Sequence, residues 1–337
     1  MICYREAKNG RFCACFPAAP RILPLKEKGV GALDKVWDVI VVGAGPAGCT
    51  AALYAARAGL SVLVLSGTAP GGQVAEAAEI DNYPGFHAGV RGPDLAVDMV
   101  KGAERFGAVF LGQTAAALRP GESGHTVVTE REEHLGRTVI AATGASPRLL
   151  GLPDEGRLRG RGVSYCATCD GMFFKGKDVA VVGGGNTAAG EALLLARLCR
   201  RVTLIHRRQT LRCGAVERAA LEAADNVTLL LEHTVTALRG EGQLTGVEVT
   251  EVNTGRTEEL ACSGLFAAIG RIPATAPFRS VLPLDGDGWL AADEDCRTPI
   301  PGIFAAGDVR AKPLRQIVTA VADGARAAQG AEEYLSR

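Results

Sequence analysis

Two glycine-rich turns of the same kind, each between an apolar β-branched run and a helix, constrain this chain more than any other feature. The first, Gly43-Ala44-Gly45-Pro46-Ala47-Gly48, follows the run VWDVIVV, and the second, Gly183-Gly184-Gly185-Asn186-Thr187-Ala188, follows Asp178–Val182. In such a turn the first glycine permits the tight bend and the second lets backbone N–H groups approach a pyrophosphate. The third lets helix and strand pack closely, and alanine is tolerated there. A further apolar run ends at Ser66, 23 residues after Gly43, and at His206, 23 residues after Gly183. The strand–helix–strand unit therefore occurs twice, which predicts an α/β protein with parallel sheets covered by helices and two nucleotide-binding units.

Length agrees: 337 residues suggest roughly two domains of ~150. With 37 basic and 37 acidic residues the chain has no broad basic field for nucleic acid and no acidic tail. A hydrophobic content of 47% excludes a disordered chain, and 43 glycines without a three-residue period exclude collagen. Residues 39–56 carry no formal charge, but Gly43, Gly45, Pro46 and Gly48 interrupt them. Strand, turn and helix explain that stretch better than a membrane span, so no membrane partner is expected. Ten cysteines at uneven spacing fit a reducing compartment, here taken as the cytoplasm. Residues 1–36 show neither strand nor helix period and contain Cys3, Cys13 and Cys15 with Pro17, Pro20 and Pro24. They read as a loose extension; the alternative, a targeting or metal-binding arm, lacks a signal-peptide core and a second cysteine pair.

Ligand identity is expected just past the second strand of each unit. In the second unit His206-Arg207-Arg208, with Arg212 nearby, suits the 2′-phosphate of NADPH, which arginine grips bidentately. The bland alternative is a solvated basic face shared with Arg197, Arg200 and Arg201. In the first unit Ser66 stands where an acid is usual. A later apolar strand ends in Gly307-Asp308, which suits an acid turned toward a cofactor's hydroxylated linker, unless Asp308 is only a helix N-cap.

Cys166-Ala167-Thr168-Cys169-Asp170 reads as a redox pair, the bland alternative being two buried, unreactive thiols. Two thiols at this spacing can close a small disulfide at a helix start, where one thiol is acidified into a nucleophile. Asp170 can pass a proton to or from the pair. A single CxxC without histidine partners makes a poor zinc site, and no metal is expected. Cys49, Cys199, Cys213, Cys262 and Cys296 occur singly, and neither they nor His87, His125, His134 and His233 are given a role.

From about Trp37 to the C-terminus the sequence resembles the low-molecular-weight, bacterial-type thioredoxin reductases. The resemblance rests on GAGPAG at 43–48, GGQ at 71–73, CATCDG at 166–171, GGGNTA at 183–188, HRR at 206–208 and FAAGD at 304–308. It implies two Rossmann-like, three-layer dinucleotide-binding domains, with an NADPH domain inserted into a split FAD domain. FAD would belong to 37–147 with 274–337, NADPH and the CxxC to 148–273, and the hinges would fall near Gly144–Leu149 and Gly270–Pro273. FAD is then held by Gly43, Gly45, Pro46, Gly48, Gly72, Gln73, Asn82, Gly307, Asp308, Arg315 and Gln316. NADPH is held by Gly183, Gly185, Asn186, Thr187, His206, Arg207, Arg208 and Arg212.

The implied activity passes electrons from NADPH to FAD to the Cys166–Cys169 disulfide and on to thioredoxin, in a homodimer whose inserted domain rotates. Cys166 would attack the substrate disulfide and Cys169 would lie nearer the flavin. Larger glutathione-reductase-like enzymes keep their cysteine pair shortly after the first glycine turn, and here Gly67–Val100 contains no cysteine. Gly190 departs from the family, where a second acid is common. Rival readings are a glutaredoxin-like or peroxidase partner, a ferredoxin-dependent or oxidase variant, and a zinc or nucleic-acid module.

Overall fold

The computed structural model describes residues 35–68 and 70–337; the extension with Cys3, Cys13 and Cys15 lies outside them. The strand Val36–Val42 pairs in parallel with Val62–Leu65 on one side and with Glu133–Ala141 on the other. Val109–Leu111 extends the sheet beyond Val62–Leu65. The long strand Glu133–Ala141 serves two purposes. Its first half joins an antiparallel meander with His125–Thr129 and Ala115–Arg119, and its second half pairs in parallel with Ile303–Ala305. The strand ending at Asp308 is thereby brought beside the first glycine turn, although some 260 residues of sequence separate them.

The runs VIVV and VLVL are unbroken apolar sequence because both faces of the sheet are covered. Val39, Val41, Val62 and Val64 face the helices, and Ile40, Val42, Leu63 and Leu65 pack with Phe278, Leu282 and Leu290 on the other side. The helix Pro46–Arg57 starts at Pro46, whose missing N–H costs nothing in a first turn. It is rich in alanine because it is pressed against the sheet and the last helix, Ile317–Leu335. A Cβ on Gly324 of that helix would overlap the Ala47 carbonyl.

The second sheet repeats the plan, with five parallel strands in the spatial order Val227–Leu231, Arg201–His206, Asp178–Val182, Gly264–Ala267, Val163–Ser164. An antiparallel meander, His233–Arg239, Gly246–Glu251 and Thr257–Ala261, covers one face, and the helix Asn186–Ala196 covers the other. This helix ends at Ala196; two residues on, the Leu198 carbonyl accepts the Gly176 N–H and the chain turns away. Chain passes between the sheets at two places, Ala145–Pro147 and Arg271–Pro273, which pair as a short antiparallel ribbon. No helix among the described residues is long and apolar enough to cross a membrane.

Candidate active site

Cys166 and Cys169 form a disulfide, their Cα atoms 5.3 Å apart. Cys166 caps the short helix Ala167–Asp170, its sulfur accepting the Cys169 N–H at 3.2 Å. Asp170 closes the turn, its Oδ2 accepting the Ser164 hydroxyl at 2.6 Å, and that hydroxyl oxygen accepts the Cys166 N–H at 3.1 Å. Burial holds the Asp170 carboxyl above its ordinary range, against the Ser164 bond and the Arg159 charge. A carboxyl that gives up its proton less readily than usual, one residue from a disulfide, is placed to exchange that proton with a sulfur. Cys166 is half-buried and Cys169 exposed.

The side chain facing the disulfide comes from the other sheet's system: Gln316 Nε2 lies 3.9 Å from both sulfurs. Gln316 caps the last helix in a reciprocal arrangement with Thr319, and its Oε1 accepts Asn82 Nδ2 at 3.1 Å. Beside it the Arg315 guanidinium lies 3.6 Å over the Trp289 ring. Asp308 lies in a single 3-10 turn, Gly307–Val309, and caps no α-helix, which removes the N-cap reading. Its Oδ1 is buried without a hydrogen-bond partner, and burial pushes its carboxyl up against the charges of Arg271, Lys312 and Arg315. Arg315 Nε is orphaned too. Gln73 donates to the Ala145 carbonyl and accepts Arg271 at 3.4 Å.

Gly43, at φ +109°, and Gly48 leave no room for a side chain, since a Cβ on either would overlap a backbone carbonyl oxygen. Gly45 differs: a Cβ there would meet nothing within 4 Å, so its open side faces space, next to Gly72. The second turn shows the same contrast. A Cβ on Gly183 would overlap the Ala268 carbonyl and crowd Ala188, whereas Gly185 faces open space. Gly184 packs on the His206 ring. That ring is buried, and burial, helped by the charges of Arg212, Arg208 and Arg207, lowers its pKa against a backbone bond at Thr210. Asn186 Oδ1 accepts the Gly214 N–H at 3.0 Å, and the Arg212 N–H donates to the Gly184 carbonyl at 2.6 Å. Arg207, Arg208, Arg212 and Thr187 are exposed around this turn. The two sets named from the sequence therefore gather into two places, with the disulfide at the first.

Sequence reasoning missed Ser164, Arg271, Glu191 and Trp289. The first two stand in two- and three-residue strands without a motif, and Glu191 and Trp289 matter only through partners far away in sequence. Ser66, the departure in the first unit, is buried and spends its hydroxyl on the Leu111 carbonyl at 3.0 Å.

Residues 37–324 match the family model of pyridine nucleotide-disulphide oxidoreductases. The thioredoxin reductase of Listeria innocua is 43% identical over 303 residues, 90% of this chain and 95% of that protein. The crystal structure of thioredoxin reductase from Streptococcus pyogenes superposes with a TM-score of 0.86 at 41% identity, covering 89% of this chain and 98% of that one. A bifunctional thioredoxin reductase/thioredoxin from Mycobacterium leprae is 42% identical over 306 residues, 90% of this chain and 67% of that protein.

The chain belongs to the thioredoxin reductase family. It is a disulfide oxidoreductase, and the family's cofactors are FAD and NADPH. The residues present fit both. At the first turn an open-sided glycine adjoins a buried carboxyl oxygen and a guanidinium nitrogen that lack partners. At the second turn an open-sided glycine adjoins three exposed arginines, none of which forms an ion pair among the described residues.

Proposed function

We propose that this chain reduces the disulfide of a thioredoxin with electrons from NADPH, through Cys166 and Cys169. The observation that carries the reading is the position of the disulfide. It projects from the sheet that bears the second glycine turn, yet faces Gln316 beside the unpartnered Asp308 of the first. FAD bound there supplies two-electron transfer between the nicotinamide and the disulfide.

In this proposal residues 37–147 with 274–337 hold FAD and 148–273 hold NADPH. Gly43, Gly45, Pro46, Gly48, Gly72, Gln73, Asn82, Gly307, Asp308, Arg315 and Gln316 bind the first cofactor. Gly183, Gly185, Asn186, Thr187, His206, Arg207, Arg208 and Arg212 bind the second. The division is supported by the ribbon Ala145–Pro147 and Arg271–Pro273, where the chain passes between the sheets. Turning of 148–273 about that ribbon exposes the dithiol to its partner, Cys166 attacks the substrate disulfide, and Asp170 moves the proton.

Met172 and Phe173, exposed just past the disulfide, favour a protein partner over a small disulfide. Among the described residues five buried, unpaired cysteines are consistent with the reducing cytoplasm. The homodimer belongs to the same proposal and is checked by light scattering.

The test is Cys169→Ser. The variant should keep flavin reduction by NADPH and lose thioredoxin reduction by more than about a thousandfold, since a lone thiol cannot re-form the disulfide. Unchanged turnover would remove the dithiol mechanism.

A further inference from the structure

Ser164 carries a buried hydroxyl that the mechanism above does not use. It stands in the short strand Val163–Ser164, which pairs Ser164 with Phe266, so the second sheet fixes its backbone. A buried hydroxyl is costly unless it is hydrogen-bonded, and both partners of this one lie at the disulfide. Its oxygen accepts the Cys166 N–H at 3.1 Å, and its hydrogen goes to Asp170 Oδ2 at 2.6 Å. The next acceptor, the Cys166 carbonyl, is 3.5 Å away. The charged side chains about Asp170 are Arg159, which pairs with Glu76 at 2.7 Å, and Glu191 of the helix packed on Ala167–Asp170. Neither hydrogen-bonds Asp170 among the described residues; Ser164 does.

From this geometry we propose that Ser164 is a positioning residue for proton transfer at the disulfide. Its hydroxyl, oriented by the Cys166 amide, occupies Oδ2 of Asp170 and leaves Oδ1 to carry the exchangeable proton. The inference rests on the disulfide-reductase reading and deepens it. A proton on Oδ2 would compete with the Ser164 hydrogen for the same 2.6 Å gap and turn the hydroxyl toward the distant Cys166 carbonyl. The bond also favours the ionised carboxyl, because a charged acceptor makes the stronger hydrogen bond. It thereby opposes the burial that holds Asp170 above its ordinary range, as does the Arg159 charge. Ser164 thus sets both where the proton sits and how readily it leaves. Reduction breaks one S–S bond and forms two S–H bonds. Hydride from NADPH brings two electrons and one proton, and solvent brings the second proton. Asp170 passes one proton to a sulfur and takes one back when the dithiol closes on reducing the substrate disulfide, so its own state is unchanged over a cycle.

The test is Ser164→Ala, which removes the hydroxyl and leaves the strand its backbone bonds. Without the donor the Asp170 carboxylate is less favoured, so its ionisation moves to higher pH. In the pH profile of thioredoxin turnover, the limb that Asp170→Asn abolishes belongs to this carboxyl. Ser164→Ala should move that limb up by about one pH unit, the worth of one hydrogen bond to a carboxylate, so that turnover on it changes roughly tenfold at fixed pH. Ser164→Thr, which keeps the hydroxyl, should return the limb to its wild-type position. A second readout needs neither NADPH nor thioredoxin. In the oxidised holoenzyme, the infrared carboxyl band that Asp170→Asn removes should titrate about one pH unit higher in Ser164→Ala than in wild type. An unmoved infrared midpoint, or a loss of turnover equal at all pH values, would show that Ser164 only ties the helix to the sheet and would overturn the proposal. Wild-type protein that does not turn over thioredoxin would instead sink the reductase reading, and the infrared midpoint still decides the role of Ser164.

Discussion

The two glycine turns share one backbone plan and differ in what surrounds them. At the first, Gly48 has no room even for a methyl group, whereas Ala188 stands at the same place in the second, its Cβ lying under Gly183. Past the strand that follows, the first unit ends in a buried Ser66 whose hydroxyl is spent on a backbone carbonyl, and the second in a buried histidine and exposed arginines. The first turn gains its polar partners from just past a distant strand and just before the last helix: the charged Asp308 and Arg315, and the amide of Gln316. The glycines fix how close a pyrophosphate can come; the neighbours decide which nucleotide it belongs to.

The largest effect expected from this contrast is at the inner glycines. Gly48→Ala drives a methyl group into the Gly43 carbonyl, a backbone clash that side-chain motion cannot relieve. It should cost about 3 kcal/mol or more and leave little soluble, flavin-bearing protein, read as melting temperature and visible absorbance per protein. Gly45→Val places its side chain in open space, so the fold should survive and FAD content alone should fall. Equal damage from both would break the distinction between packing and binding glycines.

Next in size is the arginine pair. Arg207→Ala with Arg208→Ala should raise KM for NADPH by roughly 10–100-fold, the worth of one or two charge-assisted bonds to a phosphate, and leave KM for NADH nearly unchanged. Equal changes for both nucleotides would return the cluster to a solvated basic face.

A smaller effect is expected on stability. Glu191 is an acid whose folded pKa is raised, so its ionisation works against the fold as pH climbs from its ordinary value toward about 7. Glu191→Gln should raise the melting midpoint by roughly 3–6 °C near pH 8 and hardly change it near pH 5. A gap of the same size at both pH values would contradict a buried, titrating carboxyl.

The smallest effect belongs to the second sheet's rim. The Arg200 bond holds Asp178 below the usual carboxylate range, but the pair is solvent-exposed, 72% at Arg200 and 23% at Asp178. Asp178 contributes its stability above its unfolded pKa and loses it as pH falls through the folded value. Arg200→Ala should lower the midpoint near pH 7 by no more than about 1–2 °C.

The strand–turn–helix units were legible because three glycines in a fixed spacing answer to backbone geometry that few other sequences satisfy. The CxxC was legible for the same reason of spacing. Partners that meet only in three dimensions left no local mark. Arg271 comes from a three-residue strand, yet it touches Gln73 and acts on Asp308 and Glu191, residues some 200 positions before, 40 after and 80 before it. The end of the helix at Ala196 carries no breaker in the sequence, since Gly176, on a preceding turn, takes the Leu198 carbonyl. The fold of Glu133–Ala141 into two pairings depends on a strand near the far end of the chain.

In the proposed mechanism the arginine-lined turn feeds electrons from NADPH to the site where the disulfide rests. Its most direct test is anaerobic addition of NADPH, with NADH in parallel, to the purified flavin-loaded protein while the visible absorbance is followed. NADPH should bleach the flavin promptly and NADH hardly at all. Bleaching by neither would mean that the second turn is idle and that the electrons enter by another route.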